Sequence, residues 1–313
     1  MTVTPTYVED APENRVELDP FARFNWKTVE SKEMWKDALI NAEIAKSEAE
    51  WRSVLSDKTD RKAAIIHINN FNREKWLRRM GEYGLAYRDI RYSEPYEGFA
   101  HKFHPTTIDD PRRNTYAVIA KDDDVADKME EAELEMEGHE RHGTVGKLLG
   151  FPDCCRSQFN DIWVDNWDRG LTDPMYEVAC NTPSAREITD ADNIRLEDPE
   201  AYTNVMWRYF GWSFITHIPC SFECEESAAI GEARHEIMHE AGYGGAADML
   251  YGWLDQPFVW DALHSIANIR NMHVTATAGT SSYWSKKRVE WRREHFPQMK
   301  PFYTEEDLAR IHS

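Results

Sequence analysis

Four of the five cysteines in this 313-residue chain fall in two short runs about 65 residues apart. One is Cys154-Cys155, within Gly-Phe-Pro-Asp-Cys-Cys-Arg-Ser-Gln-Phe (150–159). The other is Cys220 and Cys224, within His-Ile-Pro-Cys-Ser-Phe-Glu-Cys (217–224). Free cysteines are often no more than small buried hydrophobes. Core cysteines scatter, however, whereas thiolates that share a metal, or a nucleophilic thiol and its partners, cluster. If these thiols share one atom, the fold must bring the two runs together, and this requirement limits the chain more than any other feature.

His217-Ile-Pro-Cys220 sits where a strand over Trp212–His217 is expected to give way to a helix from about Ser221. Pro219 suits the first helical turn and would leave Cys220 near the free N-terminal amides, which favour a thiolate. Cys224 follows one turn later on the same face. Cys220 and Cys224 are thus two soft ligands and His217 a borderline one, a set that suits zinc or an iron–sulfur cluster. The alternative is a metal-free site in which Cys220 is the nucleophile and His217 its partner. Cys154 and Cys155 open another helix and point about 100° apart on it, so one of the two is expected at the metal and the other in packing. Cys220, Cys224 and Ser227 resemble the Cys-x3-Cys-x2-Cys spacing of radical S-adenosylmethionine enzymes, with serine in the third place. Cys180, alone, reads as core.

The runs 146–159 and 217–227 resemble the two signature segments of an uncharacterised, largely archaeal domain family, with Gly-hydrophobic-Pro-x-Cys-Cys and His-x-Pro-Cys-x3-Cys motifs. The resemblance covers roughly residues 140–280. It implies a shared use of Cys154, Cys155, His217, Cys220 and Cys224, and carries no substrate.

Composition narrows the setting. The formal charge of −19, from 56 acidic and 37 basic residues, argues against a large nucleic-acid surface. Arginine outnumbers lysine 23 to 14, and acid-rich, lysine-poor chains resemble halophilic archaeal and viral proteins. No stretch is apolar enough for a membrane span. The N-terminus lacks the basic and apolar segments of a signal peptide, so a cytoplasmic location is expected. Cysteine pairs there read as metal or catalytic sites before disulfides.

Hydrophobic periodicity predicts a mixed α/β (α+β) fold, helix-rich, with a small sheet. Residues 1–25 read as a loose arm and 26–121 as an α/β region. That region holds one long or broken helix to about Asp57, strands over 63–68, 85–92 and 116–120, and a helix ending near Gly81. The acidic run 122–142 reads as a solvated helical connector, and 143–313 as the motif-bearing region. Within the latter, 143–150, 153–163, 199–210, 221–240, 257–269 and 282–295 are expected to be helical, 272–278 extended and 181–200 loop. The last helix carries Lys286, Lys287, Arg288, Arg292 and Arg293 beside Trp284 and Trp291; on so acidic a chain it reads as an amphipathic closing helix.

A second motif competes. His235-Glu-Ile-Met-His239 satisfies His-Glu-x-x-His, in which two histidines one helical turn apart hold zinc and Glu236 serves as general base. Gly245 stands where an extended pattern would place a third histidine, leaving Asp248, Asp255, Asp261 or His264 to complete the set. At 1.5 Å per residue, Cys220 and His235 lie about 22 Å apart along a straight helix, so the two motifs are separate sites. No nucleophile elbow, phosphate loop or dinucleotide fingerprint occurs. Three functions follow. The first is a metal-dependent enzyme of unknown substrate, built on the cysteine runs. The second is a zinc metallopeptidase at His235, Glu236 and His239. The third is a metal-stapled, non-enzymatic interaction or virion-associated protein.

Overall fold

In the computed structural model, the described residues are 24–26, 41–42, 44–94, 105–164, 178, 181–183, 187–190, 193–196, 200–205, 213–255, 258–261, 266–269 and 272–275. A three-stranded antiparallel sheet organises the first half. β2 (Ala63–Asn69), β4 (Asn114–Ala120) and β3 (Ala86–Ser93) lie in the order β2-β4-β3, with β4 antiparallel to both neighbours. The helix α2 (Arg73–Glu82) joins β2 to β3, so two parallel strands have a third inserted between them, a split βαβ unit.

The central strand is buried on both faces, and the period-two alternation of side chains sorts the core into two layers. Ala64, Ile66, Ile68, Ala117 and Ile119 pack with Met80 of α2 and with Trp51, from the helical stretch 44–52, here α1. Ala63, Val118, Ala120 and Ile90 pack on the other side against Ala126, Met129 and Ala132 of α3 (Asp123–Leu134), and against Val145 and Leu148 of α4 (Gly138–Leu148). Asp122 caps α3 by accepting a hydrogen bond from the Val125 amide at 2.9 Å, a favourable N-cap. The acidic run thus has a solvated face and an apolar one, with alanine and methionine placed at helical spacing on the latter.

A second sheet, of order β1-β9-β8-β7-β6-β5, is antiparallel throughout. Its strands are β1 (Phe24–Trp26), β5 (Glu187–Asp190), β6 (Asn193–Leu196), β7 (Phe258–Asp261), β8 (Ile266–Ile269) and β9 (Met272–Thr275). Between β6 and β7 come α6 (Glu225–Glu240) and α7 (Gly244–Leu254), with α5 (Asp153–Gln158) earlier in the chain. The architecture is mixed α/β, helix-rich with a small antiparallel sheet, as expected from periodicity.

Several local expectations give way. Residues 257–269 hold β7 and β8 instead of a helix, because Phe258, Val259 and Trp260 form a short apolar run whose period does not separate strand from helix. The segment expected to be loop, 181–200, contains β5 and β6. Residues 213–217 are irregular, not a strand, and 200–205 form turns. The helix α7 was not anticipated, since its two leading glycines read as the end of α6. The basic segment 282–295 and Cys180 lie outside the described residues. No helix among the described residues is long and apolar enough to cross a membrane.

Candidate metal centre

The local sequence explains how the first cysteine pair is presented. Gly150 adopts φ +70° and closes α4: its N–H bonds to the Lys147 carbonyl, while the Phe151 N–H reaches back to Gly146. This is the paired-bond C-cap that favours glycine. A Cβ at Gly150 would also lie 3.0 Å from the Arg61 backbone nitrogen, so a larger residue would be strained here and would press on that backbone. Pro152 then stands at the N-cap of α5, and Cys154 and Cys155 occupy its first turn. Cys224 is the N-cap of α6. The dipoles of both helices therefore direct positive ends at the sulfurs. Cys220, expected at the helix start, lies four residues before the cap, just ahead of the turn that the Cys224 N–H closes onto the Ser221 carbonyl.

All four sulfurs converge. Sγ of Cys154 is 3.8 Å from that of Cys155 and 3.7 Å from that of Cys224, and Cys155 and Cys224 are 3.6 Å apart. With Cys220 included, one sulfur from each residue lies within 4.8 Å of every other. The backbone N–H of Cys220 also points at the Cys155 sulfur, 3.3 Å away. Both adjacent cysteines contribute, where one was expected. Their directions differ by about 100°, but at the open end of a helix both side chains can lean into the wedge between them.

His217 is not one of this group. Its Nε2 lies 2.8 Å from Ser227 Oγ, and that hydroxyl lies 3.1 Å from the Cys155 sulfur, so the serine separates imidazole from thiols. Ser227, which takes the third position of the Cys-x3-Cys-x2 spacing, is thus a neighbour of the centre. Sequence reasoning noticed this residue only as a departure from a pattern. Burial holds the His217 pKa down at about 3, with the charges of Arg61 and Arg234 acting in the same direction. The ring is neutral and lies against Phe151 at 4.7 Å between centroids, tilted by 36°, and its buried Nδ1 has no hydrogen-bond partner among the described residues. A cavity of about 170 Å³ adjoins Cys155 and His217, walled by Phe151, Phe159, Val145 and Ile218.

The four thiols differ in acidity. Hydrogen bonds from Cys155 and Cys220 hold Cys224 far below the ordinary thiol range, with help from Ser227. The bonds that Cys155 makes to Cys220 and Cys224, and its burial, push its own pKa far up. Cys154 is raised by burial and by the charge on Cys224. A bond to Cys155 favours the Cys220 thiolate, yet its bond to Cys224 and its burial together push it up to about 12.

A second donor group lies at the far end of α6. His235, His239 and Asp248 each place a ligand atom within 4.8 Å of the others, so Asp248 is the residue that α7 brings back to the histidine pair. Glu236 is not part of it. One position further round the helix, it is paired with Lys58, which also holds Glu240 at 3.0 Å. The Glu236 carboxylate is thus engaged by a lysine in this structure.

No family model, curated protein or solved structure matches the chain.

Proposed function

We propose that the protein is a zinc protein in which one Zn²⁺, held by Cys154, Cys155, Cys220 and Cys224, staples the α4–α5 turn to the start of α6. The observation that carries this reading is the spacing of the sulfurs. Two zinc–sulfur bonds of about 2.3 Å at the tetrahedral angle span about 3.8 Å, and three separations here are 3.6–3.8 Å. An iron–sulfur cluster fits less well. Its thiolates belong to different irons and stand apart by the metal–metal separation as well as two bonds, whereas here all four sulfurs lie within 4.8 Å of one another.

Four thiolates close a tetrahedral site and leave no position for water or substrate, which is the pattern of a structural ion. The zinc supplies cross-linking and charge, not a reaction. Cys220 and His217 accordingly act as ligand and as supporting neighbour, in place of nucleophile and base. The shared motif would extend the same staple to the archaeal family that the two runs resemble.

Metal analysis of protein purified without chelator is expected to give one tightly held zinc per chain. Cobalt substitution should produce the intense near-ultraviolet bands of thiolate-to-metal charge transfer. Those bands should vanish in Cys224→Ala and weaken in Cys154→Ala. A brown chromophore would replace zinc with a cluster, and tight zinc retained in both variants would refute the reading.

A further inference from the structure

The histidine end of α6 is built with as much care as the thiolate end. Gly242, at φ +87°, terminates α6 with bonds from its N–H to the His239 carbonyl and from the Tyr243 N–H to that of Met238. The chain then reverses into α7 at Gly244, where a Cβ would collide with the His239 ring at 2.6 Å. This tight reversal delivers Asp248. Its Oδ1 lies 3.1 Å from His235 Nε2 and 2.8 Å from His239 Nε2, so one carboxylate oxygen faces both imidazole nitrogens.

The spacing matches neighbouring positions around one ion. Two metal–ligand bonds of 2.0–2.1 Å span about 2.9 Å when at right angles and about 3.3 Å at the tetrahedral angle. The separations of 3.1 and 2.8 Å to the carboxylate oxygen lie close to these values, and all three ligand atoms are within 4.8 Å of one another. Two histidines and one carboxylate are the donor set of the facial triad of first-row divalent metals. Imidazole donors select against calcium and magnesium, which take oxygen.

The supporting contacts are those of a ligand set. Nδ1 of His235 lies 3.1 Å from the Tyr202 hydroxyl, a partner that fixes ring orientation and leaves Nε2 directed at the site. Tyr251 stacks on the same ring at 5.7 Å and 12°. The far side is open: the side chains of His239 and Asp248 are 46% and 64% exposed. The surroundings are acidic, since Glu200, Glu232 and Glu236 act on the Tyr202 hydroxyl and Asp255 and Glu200 on that of Tyr251. Such a field draws cations in and repels phosphate or carboxylate ligands.

We propose that His235, His239 and Asp248 bind a second, solvent-open divalent first-row metal ion on one face, leaving its remaining positions to water and to a neutral or cationic ligand. The site is independent of the thiolate centre and differs from it in kind: three hard or borderline donors where the other has four soft ones, and open where the other is closed.

Cobalt titration of the apoprotein separates the two. The first equivalent is expected to give the thiolate charge-transfer bands and the second only weak visible bands without them. Equilibrium dialysis against micromolar free Zn²⁺ or Co²⁺ should give two ions per chain for the native protein. It should give one for His239→Ala and for Asp248→Asn, both at exposed positions where folding is readily checked by circular dichroism. Saturation at one ion in the native protein overturns the proposal. So does a second ion that persists in both variants. Loss of the thiolate bands with retention of the weaker ion would instead refute the zinc staple and leave the histidine site standing.

Discussion

His217 shows how a residue beside a metal can matter without touching it. Its neutral ring is buried against Phe151 and bonded to Ser227, and desolvation holds its pKa at about 3, below the ordinary 6.5. The unfolded chain therefore binds a proton that the folded one does not whenever the pH lies between these values. The stabilisation is complete above 6.5 and is lost as the pH falls toward 3. In His217→Gln, which can still reach Ser227, that acid-sensitive term is absent. Urea midpoints should show the variant less stable than the native protein at about pH 7.5, with the gap narrowed by about 2 kcal/mol at about pH 5. An unchanged gap would mean that the imidazole is protonated in the fold. The sequence placed His217 at the centre because it is close enough to Cys220 to fold back over the same spot. What it did not reveal was the part played by Ser227, whose hydroxyl lies between the imidazole and the Cys155 sulfur.

At the scale of elements, α6 is held against the layered core by a buried ionic joint. Glu50 of α1 bonds to Arg61 before β2, and accepts from Arg234 of α6 at 2.7 Å. Burial raises the carboxyl pKa, but the two guanidinium groups outweigh it and keep Glu50 ionised. Glu50→Gln would strand two buried cations, and removing one member of a buried pair costs about 3–5 kcal/mol. The expected result is a lowered urea midpoint with zinc stoichiometry intact; a midpoint unchanged from the native protein would show that the joint bears no load. This joint was not legible in the sequence, since Glu50, Arg61 and Arg234 sit in charged stretches like any solvated face. By contrast, the strands β2 to β4 were legible: β2 and β4 are compact apolar, β-branched runs, and β3 is a short aromatic-bearing run between turn residues. The helix α6 was legible too, and the cap at Gly242 marked its end. The helix α7 was hidden by that same signal: Gly244 and Gly245 continue the chain instead of stopping it, and a Cβ at the first of them would press on the His239 ring.

On the scale of the whole molecule, the cysteine framework was the most readable part of the chain and the paths between its members the least. Four thiols in two short runs announce a meeting, but not that both neighbours at 154 and 155 would attend it. Nor do they announce that the runs come together as two helix starts, which depends on Gly150 and Pro152 turning α4 into α5. An ion shared by Cys155 and Cys220 makes a ring of the roughly 65 residues between them, and a cross-link over a loop of that length removes about 4 kcal/mol of denatured-chain entropy. Topology then has a consequence for cleavage. A single protease cut anywhere from 156 to 219 opens the ring without parting the molecule, since the two pieces remain tied through the metal. Under native conditions the nicked protein should run on a sizing column as an intact chain, then shed a fragment or lose its compactness once a strong chelator is added. Separation before chelation would mean that nothing ties the knot.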